Sequence, residues 1–342
     1  MPNPPNRART PAAFVQAIAA GYARRGLDPA PALRAAGLSQ ALRTGTEGRV
    51  GIEAFESLSA RAMRELDDEA LGWFTRRLPW GSYGMLLRAS LTAPTLEVAL
   101  KRWCRHHGLL TDDVRLRLRV EAGMATVAID ERTALGDLRE FCLVSLLRNL
   151  HGIACWLSDS RIALSGVGFP FEAPPHAGLY ASMFDGAIRF GAARAELRFD
   201  AVYLRLPVLR DDGALRQMLR RPIGLMARHY RQDRLLSHRI AFHIAAADTP
   251  PGAEAIARHF GISVRSLQRH LQSEGTSLSA LVHTTRHRQA EDLLLRSDLP
   301  LKQIARRLGY GDESTFGRAF RQWAGRSPAQ VRREGLIRSA PT

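Results

Sequence analysis

Two stretches of the chain place apolar residues at helical spacing in the same order. Ile256 and Phe260 fall four apart on one helix face, and beyond Gly261 so do Leu267 and Leu271. Ile304 and Leu308, then Phe316 and Phe320 beyond Gly309, repeat the arrangement. The string IARHFGI (256–262) returns 48 residues later as IARRLGY (304–310), with one extra residue in the turn that follows. Recurrence of one supersecondary unit is the economical explanation. Each unit predicts a helix, a tight turn and a second helix. Ala257 and Ala305 are small where a crossing helix must come close. Gly261 and Gly309 stand where the first helix ends, because glycine adopts the left-handed conformation at little cost. Ser263 and Asp312 each offer an N-cap to the second helix. Between the copies, 278–296 predicts one long helix capped by Ser277, with Leu281, Val282, Ala290, Leu293 and Leu294 as its apolar stripe.

With the apolar positions turned inward, the second helices present polar faces. In the first copy the outward set is Arg265, Gln268, Arg269 and Gln272. In the second it is Glu313, Ser314, Thr315, Gly317, Arg318 and Arg321. Arg pairs with guanine O6/N7, Gln with adenine N6/N7, and Glu accepts from cytosine N4, while a glycine lets the backbone approach. Any solvated helix face is polar. Two such faces in register favour groove reading over mere solvation. A helix-turn-helix presents its second helix to the major groove, and two of them on one face of a duplex need a separation near one turn, roughly 34–36 Å.

Upstream the pattern changes. Residues 12–110 read as mainly helical. Val114–Val120 alternates apolar and polar, turns at 121–123, and resumes at Met124–Ile129, which predicts a hairpin with one buried face. An apolar helix over 138–157 and strand-like pieces at 161–168, 187–190 and 196–199 follow. The fold class is therefore an α+β N-terminal domain followed by an all-α double helix-turn-helix DNA-binding domain. The expected divisions are a disordered arm over 1–10, a first domain over 11–204, a helical linker over 205–235 and a DNA-binding domain over 236–338. The linker helix starts near Asp211 and carries Arg216, Arg220, Arg221 and Arg228, a solvated or phosphate-contacting face.

A length of 342 residues accommodates two cores. The net charge of +16 is unevenly spread: residues 205–342 hold 24 Lys+Arg against 12 Asp+Glu, and residues 1–204 hold 25 against 21. A basic C-terminal region attracts phosphate. All cations but Lys101 and Lys302 are Arg; the bias runs through both domains and carries no functional weight. Cys104, Cys142 and Cys155 form no CxxC pair, which fits reduced thiols. The first eleven residues lack an apolar core, and the helix that follows is broken by Gln16, so no signal peptide is expected. No run approaches the ~18 apolar residues of a membrane span. The expectation is a cytoplasmic protein without membrane contact.

The segment GYGDESTFGRAFRQWAGRSP (309–328) closely resembles the signature of the AraC/XylS family of bacterial transcription regulators, and ISVRSLQRHL (262–271) is similar to the subgroup that includes ornithine-utilisation regulators. PTLEVAL (94–100) and the stretch 169–207 resemble the arabinose-binding-type domain of that subgroup. The resemblance implies that Arg265, Gln268 and Arg269 occupy base-reading positions in the first motif, and Glu313, Ser314, Gly317 and Arg318 in the second. It implies promoter DNA, RNA polymerase, a second copy of the chain and an unidentified small-molecule effector as partners, activation as the commoner outcome, and no cofactor. Two positions depart from the pattern. Val331 stands where Tyr is usual, and His287 replaces a common Leu, a change expected to loosen the connector.

Other constellations carry less. The cluster Cys104, His106 and His107, and the pair His151 and Cys155, contain metal-capable side chains without three or four ligands at a recurrent spacing. Trp73, Trp80, Tyr83 and Trp103 either line an apolar pocket or pack in the core, with core packing preferred. No phosphate loop, GxSxG or convergent nucleophile is present, so an enzyme is not expected. A DNA binder without an effector stands as the remaining alternative.

Overall fold

The computed structural model describes residues 9–41, 48–220, 233–247 and 251–339. The chain divides into two compact units, the first ending at residue 232 and the second beginning at Asp233.

The first unit opens with strand β1 (Arg9–Pro11), paired antiparallel to β2 (Arg49–Gly51), with Thr10 opposite Val50. Of the arm expected over 1–10, Arg9 and Thr10 therefore lie in a strand, and the remainder is outside the described residues. Five helices follow: α1 (Ala12–Arg24), α2 (Ala30–Ala35), α3 (Ile52–Glu65), α4 (Ser82–Leu91) and α5 (Leu96–Leu110). The hairpin forms as β3 (Val114–Glu121) and β4 (Met124–Glu131), with Leu116 opposite Ile129. After α6 (Arg139–Ser158) come β5 (Leu164–Gly168), the short α7 (Tyr180–Met183), β6 (Ala187–Arg189) and β7 (Ala195–Asp200).

The five strands form one sheet in the order β3-β4-β7-β5-β6, antiparallel except for the β5–β6 pair. Val114, Leu116, Val127, Ile129, Leu197 and Phe199 bury one face, because alternate strand residues point the same way. Helix α5 lies against β3, and α6 against β7. By length and composition the stretch Gly136–Ser158 is apolar enough to cross a membrane, beyond what the sequence reading allowed. Here it is mostly buried as the central helix of the unit. Asp113, between α5 and β3, accepts hydrogen bonds from the Thr75 amide at 2.6 Å and from the hydroxyls of Thr75, Thr111 and Thr133. Burial raises its pKa, yet these donors outweigh burial and leave it lowered.

The stretch expected as a linker is packed on this unit as far as Leu219. The Leu96 amide donates to the Leu206 carbonyl and the Leu209 amide to the Leu157 carbonyl, each at 2.8 Å, and Arg210 pairs with Asp159. Helix α8 (Asp212–Met218) is capped by Asp211, buries Leu215 and joins α4 through an Arg88–Asp212 ion pair of 3.2 Å. Buried Leu215 is what fastens it: a short polar helix with a buried apolar anchor docks instead of spanning open solvent. Arg221 and Arg228 lie outside the described residues.

Every helix described in the second unit belongs to one series: α9 (Leu236–Ala246), α10 (Ala253–His259), α11 (Val264–Ser273), α12 (Leu278–Arg296), α13 (Leu301–Arg307), α14 (Glu313–Ala324) and α15 (Pro328–Ser339). They build two small cores. Ile240, Ile244, Ile256, Ala257, Leu267 and Leu271 form the first, and Ala290, Leu294, Ile304, Phe316, Phe320 and Val331 lead the second. Helix α12 serves both, with Leu278, Leu281 and Val282 against the first core and Leu293 beside Ala290 and Leu294 in the second.

Candidate nucleic-acid interface

The two helix-turn-helix units close with the same hydrogen bonds. Helix α10 ends at Gly261 (φ +67°), where the Gly261 amide donates to Arg258 O and the Ile262 amide to Ala257 O, at 3.1 and 3.0 Å. Helix α13 ends at Gly309 (φ +76°), with Gly309 to Arg306 O and Tyr310 to Ala305 O at 2.9 and 2.8 Å. Both are paired helix-end bonds around a left-handed glycine, and they satisfy carbonyls that a helix terminus leaves free. The next helix is capped in each case: Ser263 Oγ accepts from the Ser266 amide at 3.1 Å, and Asp312 Oδ1 from the Thr315 amide at 2.7 Å.

Helices α11 and α14 then show one buried and one open face. Leu267 and Leu271 are buried in the first core, Phe316 and Phe320 in the second. Arg265, Gln268, Arg269 and Gln272 are exposed. So are Glu313, Ser314, Thr315, Arg318 and Arg321, while Gly317 is half-buried. The sets 265/268/269/272 and 314/317/318/321 occupy equivalent positions, each at i, i+3, i+4 and i+7. Glu313 and Thr315 differ in kind. Glu313 is in the first turn of α14, where a carboxylate suits the positive end of the helix dipole. The Thr315 hydroxyl is taken up by capping, donating to Asp312 Oδ2 at 2.8 Å, with Arg318 Nη2 at 3.5 Å from its Oγ1.

Arg258, Lys302, Arg306 and Arg307 are exposed on the first helices of the two units. Their signal was present as charge within the repeat. Glu274, at the end of α11, accepts from the amides of Leu236 and Ser237 at 2.8 Å each and so caps α9. His287 does not leave the connector loose: its ring lies 5.6 Å from Phe320 and 6.0 Å from Trp323. Arg286 sits 5.0 Å over the Tyr310 ring, and Gln289 Nε2 donates to Ala245 O at 2.9 Å, so the middle of α12 is tied to both halves of the unit. Val331 fills the second core.

The remaining candidates resolve separately. Cys104, Cys142 and Cys155 are buried thiols outside any disulfide, and burial pushes the Cys104 thiol up to about 12. Buried His107 has its pKa lowered to about 4 by desolvation. His151 Nε2 is 2.8 Å from Ile162 O and 3.6 Å from Cys155 Sγ. Among the described residues no group of three or more His, Cys, Asp or Glu side chains is placed to hold a metal ion. Of the four aromatic residues, Trp103 is core, stacked on Tyr83 at 5.9 Å. Trp73 is also buried, 5.2 Å from the Phe141 ring, and with Trp80 and Tyr83 it borders a cavity of about 240 Å³.

The family described as "Arabinose-binding domain of AraC transcription regulator, N-term" matches residues 26–208, and a helix-turn-helix domain family matches residues 256–334. The chain is 30% identical to the ornithine utilization regulator of Pseudomonas aeruginosa over 94% of its own length and 96% of that protein's. The chain belongs to the AraC family of transcription regulators. Another relative in the family is the regulator VirS of Mycobacterium tuberculosis, 25% identical over 91% of this chain and 93% of that one. Among solved structures, the regulator CdpR of Pseudomonas aeruginosa matches with a TM-score of 0.33 at 20% identity, covering 94% of this chain and 98% of that one. As an AraC-family member the chain is a DNA-binding transcription regulator with an N-terminal domain of ligand-binding type, and not an enzyme.

Proposed function

We propose that the protein is an effector-responsive, sequence-specific activator that reads two successive major-groove segments of promoter DNA with α11 and α14. The observation that carries this is the matched spacing of 265/268/269/272 and 314/317/318/321 on the open faces of two helices joined by a connector rooted in both cores. In this reading Arg265, Gln268, Arg269 and Gln272 face one segment. Glu313, Ser314, Gly317, Arg318 and Arg321 face the other, with Thr315 organising the helix start. Arg contacts select guanine and Gln contacts adenine. Exposed Arg258, Lys302, Arg306 and Arg307 supply phosphate contacts, which position without specifying.

The protein acts in the cytoplasm as a homodimer, and the bound dimer recruits RNA polymerase. Effector binding to the first unit shifts the population of DNA-competent conformations, which changes promoter affinity. The P. aeruginosa relative's name, which links it to ornithine utilization, supports control of a catabolic function. Promoter occupancy and transcript level, followed across a metabolite screen, test the proposal: at least one metabolite changes both. Occupancy and transcription that stay flat for every metabolite would count against effector control.

A further inference from the structure

Within the first unit, a cavity of about 240 Å³ lies between α3, α4, α6 and α8. Trp73, Trp80, Tyr83 and Leu87 form much of its wall, and Met218 and Leu219, at the end of α8, complete the lining. Leu219 packs closely on α4. A Cβ built on Gly84 of α4 would stand 3.3 Å from Leu219 Cδ1, so the glycine makes room for that leucine.

Four charged or polar side chains line it besides the aromatic ones, Glu69, Arg88, Ser145 and Asn149, and Arg88 is committed to Asp212 by an ion pair of 3.2 Å. Glu69 is 8% exposed, accepts from the amides of Gly81 and Tyr83 at 2.8 and 2.7 Å, and has no ion-pair partner among the described residues. Ser145 and Asn149, one turn apart on α6, have no hydrogen-bond partner among the described residues. The indole N–H of Trp73 is also buried without one. A buried carboxylate without a counter-cation is costly, and aromatic faces attract organic cations. The Arg64 guanidinium, 5.0 Å over Trp80, already uses one ring in this way.

We propose that this cavity is the effector site and that it takes a compact organic amine with a mainly apolar body, its ammonium directed to Glu69 and its occupancy sensed by α8. The proposal rests on the effector-responsive reading above and deepens it. Burial raises the Glu69 pKa, and an ammonium beside the carboxylate would relieve that penalty. Ser145 and Asn149 provide further acceptors. Met218 and Leu219 make the wall of the site part of the segment that continues in sequence, through residues outside those described, to the DNA-binding unit. A ligand that fills the cavity therefore packs against the first piece of the connection. Carbon walls and few hydrogen-bonding groups argue against a pentose, which carries a hydroxyl on nearly every carbon.

The test uses the full-length protein and a series of equal-sized probes: 2-phenylethylamine, 2-phenylethanol and phenylacetate, with L-arabinose beside them. Calorimetric titration is expected to show the amine binding at least about tenfold more tightly than the alcohol or the acid, a gap of about 1.4 kcal/mol. Ser145→Leu, which fills the cavity, and Asn149→Leu are each expected to weaken the amine by a similar factor. Amide hydrogen exchange should slow over residues 212–219 when the amine is bound. Equal binding of the alcohol or acid, tighter binding of arabinose, or unchanged exchange in α8 would overturn the proposal. So would failure of the amine at millimolar concentration. Sequence-specific DNA binding, assayed on the same preparation, separates the two levels. If it persists while the amine fails, the amine site alone falls; if it is absent, the regulatory reading falls first.

Discussion

Asp312 accepts two hydrogen bonds from Thr315, one from its backbone amide at 2.7 Å and one from its hydroxyl at 2.8 Å. The pair fixes the start of α14, the helix whose exposed face is proposed to read the second DNA segment. The Thr315 amide bond, first among the causes, lowers the Asp312 pKa from its ordinary 3.8. Because the folded value is the lower one, the cap stabilises the fold fully above about 3.8 and fades as pH falls through the lowered value. Asp312→Ala is therefore expected to lower the thermal midpoint at neutral pH, with the gap to wild type closing in acid. Unfolding scans across that range check it; a gap independent of pH contradicts it. Ser263→Ala, the equivalent cap loss in the first unit, is expected to cost about 1 kcal/mol at every pH.

Arg269→Ala and Arg318→Ala are each expected to lower affinity for the selected site by about 1–3 kcal/mol and to relax base preference at one position. Arg306→Ala, a phosphate contact in the proposed arrangement, should weaken binding to all sequences alike. Competitive titrations against single-base variants of the site distinguish the two behaviours.

The two cores of the second unit predict how packing losses combine. Leu267→Ala empties part of the first and is expected to cost about 2–5 kcal/mol; Phe316→Ala in the second should cost about 3–5 kcal/mol. The clusters share no buried residue, so the double variant should be additive within about 0.5 kcal/mol. Gln268→Ala, on an exposed face, should stay within about 0.5 kcal/mol of wild type in stability. Chemical denaturation of the four variants measures all of this.

The basic second unit predicts steep salt dependence. With six or more phosphates contacted, affinity should fall roughly a thousandfold between about 50 and 200 mM salt. A shallow dependence on log salt would mean few phosphate contacts.

The twin units were legible because everything that defines them is local. Ile256 and Phe260, Gly261, Ser263, then Leu267 and Leu271 lie within sixteen consecutive residues, and the second copy repeats the grammar. Periodicity, a left-handed glycine and a cap suffice to place both faces. What the sequence concealed was long-range. Glu274 caps a helix 38 residues earlier, which no spacing rule anticipates. Trp103 and Tyr83 are alike in hydrophobic pattern, but one is wholly core and the other borders a cavity, because neighbouring helices decide which side of a ring is covered. Strand β7 inserts between β4 and β5, a pairing order that local propensity does not encode. Residues 205–219 read as a linker from their arginines and dock through buried Leu215. Leu219, at the end of that docked stretch, lines the cavity, so the cavity was hidden for the same reason as the boundary.

Selection of binding sites from a random DNA pool, run in parallel with wild type, Arg269→Ala and Arg318→Ala, tests the two-helix account most directly. The account predicts two preferred segments about one helical turn apart, roughly 10 base pairs between centres. Arg269→Ala should blur one segment and Arg318→Ala the other. A single preferred segment, or both variants keeping the full wild-type preference, would contradict it.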